Sequence, residues 1–132
     1  MGINKVINRL FGPFAIALLL AVTTTAYAKP SDQWQLELSG SARSNGEIVI
    51  RLNPIGADPI EVTAQIAEGT SENMVAQALV DALRLQLSHE VFHVDRVDGE
   101  DVMIKKARGA ADFDLQVISN TLEHVKISPD RE

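Results

Sequence analysis

The chain has 132 residues, no cysteine, and 12 basic against 18 acidic residues, which gives a formal net charge of −6. A net negative chain repels phosphate backbones, and no basic stripe with interleaved aromatic residues is present, so nucleic acid is excluded as an expected partner. The absence of cysteine excludes disulfide bonds, a thiol nucleophile and lipid anchoring through an acylated cysteine.

The first 28 residues have the organisation of a cleavable secretory signal peptide. Lys5 and Arg9 make a positive start, residues 14–22 (FAIALLLAV) are apolar, and residues 26–28 (AYA) offer the small–x–small pattern that signal peptidase recognises. The apolar stretch is shorter than the ~20 residues that span a bilayer, so we expect no permanent membrane anchor. We expect cleavage after Ala28, which leaves residues 29–132 as a single domain that is periplasmic or secreted.

Three stretches of alternating apolar and polar residues predict three half-buried strands, because successive side chains of a strand point to opposite faces. Their apolar positions are Trp34, Leu36 and Leu38, then Ile48, Ile50 and Leu52, then Ile60, Val62, Ala64 and Ile66. The loop of residues 40–46 is longer than a two-residue turn, so we expect the first two strands to pair with an open register. We interpret Trp34 as a core residue because its neighbours on that face are aliphatic.

A change of period after Gly69 predicts a helix. Thr70 or Ser71 can cap its start, and Glu72 lies where the helix dipole favours negative charge. An apolar stripe at helical spacing predicts that the helix packs on the sheet and ends near residues 87–88; its members are Ala76, Leu79, Val80, Leu83 and Leu87.

The remaining residues predict a hairpin and two further strands. Residues 91–97 and 102–107 flank a turn at residues 98–101 (DGED), residues 112–117 alternate again, and Val125 and Ile127 indicate a short strand before the polar tail of residues 128–132. The order of elements predicts an α+β fold: a single small domain with a largely antiparallel sheet of about six strands and one main helix packed on one face.

Residues 47–127 resemble a strand–helix–hairpin module of phage tail and sheath proteins, bacterial surface proteins and the hook-IN segment of flagellins. The matching stretches are EIVIRL, PIEVTAQIAEGTSENMVAQALVDAL, VFHVDRVDGEDVMIKKA and RGAADFDLQV. The resemblance implies a structural or interaction module without enzymatic activity.

Residues 89–93, HEVFH, match the pattern of zinc peptidases, in which two histidines one helical turn apart bind zinc and the glutamate activates a water. That chemistry requires a helix from about Leu85 through His93. If the helix runs so far, His89 and His93 project together, with Glu90 as general base and His124 or Glu123 as the candidate third ligand.

The composition of residues 91–97 favours the other interpretation of this motif. β-branched and aromatic residues before a glycine-containing turn predict a strand, which separates His89 from His93 and leaves them as ordinary surface histidines. A second candidate, a weak calcium site, would use the acidic residues of the hairpin tip, although these lack the spacing of an EF-hand loop. Those residues are Asp95, Asp98, Glu100 and Asp101.

We therefore predict no catalytic, cofactor-binding or metal residue and no cofactor. The expected function is that of a small exported non-enzymatic domain with a structural or protein-interaction role in the cell envelope, binding a protein or envelope component through its sheet face or edge. The alternative is a minimal zinc-dependent hydrolase that uses the motif at residues 89–93. A small-molecule binder with its site under the helix also stays open.

Overall fold

The computed structural model describes residues 29–132, and the expected signal peptide lies outside the described residues. Over this range the elements are β1 (Gln33–Ser39), β2 (Gly46–Pro54), β3 (Ile60–Ile66), α1 (Glu72–Gln86), β4 (Phe92–Val97), β5 (Asp101–Lys106), β6 (Phe113–Asn120) and β7 (Lys126–Arg131). They form a four-stranded sheet in the order β4-β5-β1-β7 and a three-stranded sheet in the order β3-β2-β6. All pairs are antiparallel. The α+β class is confirmed, and one sheet of about six strands is corrected to two sheets with seven strands.

The expected pairing of β1 with β2 is wrong, because the loop between them carries the chain from one sheet to the other. The backbone N–H of Ala42 donates to the carbonyl of Thr70 at 2.9 Å, and the N–H of Gly69 donates to the carbonyl of Ala42 at 2.8 Å. Gly40 begins the loop with a φ of +93°, and a β-carbon there would lie 1.9 Å from the carbonyl oxygen of His124. Only glycine fits this crossing.

The prediction of a polar tail at residues 128–132 is also corrected, because most of these residues belong to β7. Its register against β1 runs from Lys126 opposite Ser39 to Arg131 opposite Trp34. The strand lies at the edge of its sheet and is mostly exposed, so backbone pairing holds it and its side chains carry no apolar alternation.

The two sheets share one hydrophobic core, which confirms Trp34 as a buried residue. Its indole Nε1–H donates to the carbonyl of Phe113 at 2.8 Å, which joins β1 of one sheet to β6 of the other. The same carbonyl accepts the N–H of Ser31 at 2.9 Å. The ring of Phe113 meets that of Phe92 edge to face, with centroids 5.2 Å apart. Burial of each such side chain contributes about 1.5–3 kcal/mol.

Helix α1 begins after Ser71, as predicted, but the Ser71 side chain makes no capping hydrogen bond. Its buried face is the predicted stripe with Val75 added and without Leu87, which is buried just past the end of the helix. The helix packs against β3 and β4, which are outer strands of the two sheets. The side-chain amide of Gln86 both accepts from the N–H of Thr63 at 3.2 Å and donates to its carbonyl at 2.9 Å. The guanidinium of Arg84 donates to the carbonyl of Val94 at 2.9 Å. Side chains of the helix therefore form hydrogen bonds with backbone groups on one outer edge of each sheet.

The other two edges are occupied in different ways. The N–H of Glu132 donates to the carbonyl of Gln33, so by strand alternation the nitrogen of Pro129 faces the free edge of β7, where proline offers no donor. On β6 the backbone of Phe113 exchanges two hydrogen bonds of 2.9 Å with Ser31, and Leu115 is only 3% exposed. These are arrangements that natural sheets use to prevent edge pairing.

Within residues 29–132, no helix has the length and apolar character needed to cross a membrane.

We predict that Gln86→Ala lowers the free energy of unfolding by about 1 kcal/mol and promotes self-association at high concentration, because it frees both backbone groups of Thr63 on the β3 edge. Urea unfolding followed by circular dichroism and size-exclusion chromatography would measure the two effects.

The matched control is Gln77→Ala on the same helix, where the side chain bonds only to Asp81, at 2.8 Å. Removing this side-chain pair costs about 0.2–0.5 kcal/mol, and the higher helix propensity of alanine partly offsets that cost. Equal stability and equal elution of the two variants would contradict the edge-covering role of Gln86.

Candidate functional site

The HEVFH stretch does not lie on a helix. Helix α1 ends at Gln86, and the N–H of Leu87 closes its last turn by donating to the carbonyl of Leu83 at 2.9 Å. The backbone of Leu87 is already extended, with ψ of 152°. His89 follows in the turn before β4, and His93 lies within β4. The one-turn helical spacing that the zinc-peptidase chemistry needs is absent.

The two histidines nevertheless line one cavity, of about 320 Å³, together with Arg84 and Asp95. Arg84 and Asp95 form an ion pair at 3.1 Å, so the carboxylate that lines this cavity with the histidines is already engaged by a cation. A guanidinium in the same cavity also repels a metal dication. Across residues 29–132, no group of three or more His, Cys, Asp or Glu side chains has the arrangement to hold a metal ion.

The expected third zinc ligands lie in the loop between β6 and β7. His124 has a φ of +71° there, and the backbone of Glu123 bonds to the loop between β1 and β2, through Arg43 at 3.1 Å and Ser44 at 3.0 Å. Neither residue lines the cavity that holds His89 and His93.

The four acidic residues considered for calcium differ in their positions and partners. Asp95 pairs with Arg84, and Asp101 accepts a hydrogen bond from the amide of Gln35 at 3.0 Å. Asp98 and Glu100 belong to the turn between β4 and β5. The four carboxylates therefore do not form one coordination shell.

A different site, which sequence reasoning missed, lies at the end of the domain where α1 finishes. We call it the apolar cleft: a depression of about 390 Å³ lined by Pro54, Ile55, Ala57, Ile60, Gln86, Leu87, Ser88, Val91, Phe92, Ala110 and Ala111. These residues come from the β2–β3 connection, the α1–β4 turn and the β5–β6 loop, with the adjoining element ends. None of them is charged, although 23% of the chain is.

Backbone hydrogen bonds hold the three walls of the apolar cleft together. The N–H of Ile55 donates to the carbonyl of Asp112 at 3.0 Å, which ties the first wall to the third. The N–H of Ala107 donates to the carbonyl of Val91 at 2.7 Å, which ties the third wall to the second. An ion pair of Lys106 with Asp112, at 2.7 Å, lies beside these contacts. The cleft is therefore formed before any ligand arrives.

Two apolar side chains of the cleft are left in water. Ile55 is 59% exposed and Val91 is 36% exposed. Most large aliphatic side chains of the described residues are buried in the shared core. Of the five large apolar side chains that are exposed, two, Ile55 and Val91, lie together at this cleft, and exposed apolar residues beside a cleft are characteristic of an interaction site. The sequence signal was Ile55 itself, an isoleucine within the turn residues 53–59 (NPIGADP), where no strand or helix requires an apolar side chain.

No known protein-family model matches this chain, and a search of curated proteins finds no similar sequence. The resemblance of residues 47–127 to modules of phage tail, bacterial surface and flagellin proteins stays a prediction.

We predict that a purified chain of residues 29–132 holds no stoichiometric zinc after dialysis, because His89 and His93 lie on different elements beside the guanidinium of Arg84. Metal analysis of the wild type and of the double variant His89→Ala/His93→Ala would check this, with His124→Ala as the control for the third histidine. One zinc per chain, lost only in the double variant, would contradict the prediction.

Proposed function

We propose that this chain is a small exported domain without enzymatic activity, and that it has a structural or protein-interaction role in the cell envelope. The leader pattern of residues 1–28 supports export. The resemblance of residues 47–127 to assembly and surface modules supports interaction rather than catalysis. The observation that carries the proposal is the apolar cleft, which leaves Ile55 and Val91 exposed beside a preformed depression.

The apolar cleft is a better binding site than the sheet edges. A partner strand needs a run of free backbone groups, whereas Gln86 and Arg84 occupy positions on β3 and β4, Ser31 occupies the start of β6, and Pro129 interrupts β7. The cleft needs no such run, because an apolar side chain can enter it and leave water.

The expected occupant is an apolar side chain on the surface of a partner protein. Centres of protein interfaces are depleted in charged residues, and the lining of the cleft contains none. Ile55 projects at the cleft mouth and adds apolar area that a partner surface would cover. Preformed walls reduce the ordering entropy that binding must offset.

We predict that Ile55→Asp abolishes crosslinking of the chain to its partner and weakens the binding of an apolar fluorescent probe, 1-anilinonaphthalene-8-sulfonate, by about tenfold. The reason is that the substitution places a charge at the mouth of the cleft and removes apolar contact area. Fluorescence titration measures probe affinity. A photoreactive residue introduced at position 91, in cells that make the full chain, measures partner contact.

Met74→Asp is the matched control, because Met74 is an equally exposed apolar residue, at 54%, in the first turns of α1 and outside the cleft. We expect it to leave probe binding and crosslinking at the wild-type level. Equal effects of the two substitutions, or no discrete crosslinked protein from position 91, would contradict the proposal. A crosslink to lipid and not to protein would show that the partner of the cleft is a lipid, which would contradict the proposed protein partner.

A further inference from the structure

The cavity between the end of α1 and β4 is richer in hydrogen-bond donors than in acceptors, and we call it the donor cavity. Its polar side chains are the imidazoles of His89 and His93, the guanidinium of Arg84 and the carboxylate of Asp95. His93 and Asp95 are two residues apart on β4 and therefore lie on the same face of the strand. His89 reaches the cavity from the turn that follows the helix.

Arg84 has N–H groups that no acceptor of the domain uses. Its Nε–H donates to the carbonyl of Val94 at 2.9 Å, and its Nη2 donates to the carboxylate of Asp95 at 3.1 Å. A guanidinium carries five N–H donors, and within residues 29–132 the other terminal nitrogen, Nη1, has no hydrogen-bond partner. The two bonds therefore fix the guanidinium against β4 and leave its remaining donors for a further acceptor.

The two histidines add donors to the same cavity. A neutral imidazole has one N–H donor and a protonated imidazole has two. Neither His89 nor His93 forms a side-chain hydrogen bond within residues 29–132, and both are exposed. In that range no buried side-chain nitrogen or oxygen lacks a partner, so the unused donors of the cavity face water. A ligand that accepts hydrogen bonds can replace this water.

The charges around the donor cavity favour an anion. Lys105 on β5 lies directly opposite His93, so the two side chains share one face of the sheet. Glu90 is exposed in the neighbouring turn and does not line the cavity. The whole chain has a net charge of −6, which repels anions at long range. An anion therefore binds only where several donors converge on it at short range, as they do here.

We propose that the donor cavity binds an oxyanion, the carboxylate or phosphate group of a ligand, through the free N–H groups of Arg84 and the imidazoles of His89 and His93. The charged oxygens of both groups accept hydrogen bonds, and a guanidinium matches either group with two parallel bonds. The volume of about 320 Å³ is near the lower limit of small-ligand sites, so the cavity holds the anionic group and few further atoms.

Titration followed by nuclear magnetic resonance tests the proposal with two probes, inorganic phosphate and acetate, at constant neutral pH. The sample is a purified chain of residues 29–132, which contains the whole shared core. Sodium chloride at matched ionic strength is the comparison, because added salt alone screens surface ion pairs. We expect either probe to shift the imidazole signals of His89 and His93 and the Nε–H signal of Arg84 saturably, and chloride to leave them in place.

The relative affinity of the two probes distinguishes the sources of the oxyanion. Tighter binding of phosphate supports a phosphate-bearing ligand, and tighter binding of acetate supports a carboxylate. No saturable shift with either probe, or equal shifts with chloride, would overturn the proposal.

Two variants are expected to change the phosphate affinity in opposite directions. His89→Ala/His93→Ala removes donors and leaves both hydrogen bonds of Arg84 in place, so we expect the affinity to fall by about tenfold. Asp95→Asn removes the carboxylate that competes for Arg84, so we expect the affinity to rise by about fivefold. A residue with a purely structural role would not strengthen binding when it is replaced.

His124→Asn is the matched control, because it removes a histidine outside the donor cavity and asparagine tolerates the φ of +71° found there. We expect it to bind phosphate as the wild type does. Equal affinities of this control and of the double histidine variant would contradict the proposed site. All these outcomes are independent of the apolar cleft, since Ile55 does not line the donor cavity.

Discussion

Helix α1 closes a structure that its two sheets leave open along one side. β3 and β4 are outer strands of different sheets, and both present backbone groups to the helix. The Gln86 side-chain amide makes the two backbone hydrogen bonds to Thr63 that a neighbouring strand would make. The Arg84 guanidinium donates to the backbone carbonyl of Val94. Without a helix in this position, two strand edges would be available for pairing between molecules. The fold therefore depends on one amphipathic element meeting both sheets.

The end of the helix at Gln86 also determines what the chain can bind. The turn that follows brings Leu87 and Val91 to the apolar cleft and sends His93 into a strand. About two more turns of helix, through His93, would present the two histidines together and remove a wall of the cleft. The zinc-peptidase arrangement and the apolar cleft are thus mutually exclusive conformations of the same residues, and the observed one is the cleft.

Much of this fold could be predicted from local pattern. The alternation of Leu36 with Leu38 and the helical stripe of α1 report burial directly, because each face of an element meets one environment. Strand preference after Ser88 also separated His89 from His93. Local pattern contains no information on which strands pair, so the split into two sheets was missed. A short strand was predicted at Val125 and Ile127, but its extension over residues 128–131 was missed because an exposed edge strand needs only its backbone.

The site was harder to predict than the fold. The apolar cleft joins three segments that lie up to 57 positions apart, from Pro54 to Ala111, and tertiary contacts that include hydrogen bonds between their backbones bring them together. Exposed Ile55 was a visible signal, but a single apolar residue in a turn has no meaning until its neighbours are known.

The position at which α1 ends is the claim on which the other conclusions rest, and backbone chemical shifts of residues 83–97 measure it directly. This structure predicts helical carbon shifts through Gln86, turn values at residues 88–91 and strand values from Phe92 to Val97. Helical shifts continuing through His93 would contradict it. They would mean that the α1–β4 turn, which forms one wall of the apolar cleft, does not exist and that the two histidines have the helical spacing of a zinc site.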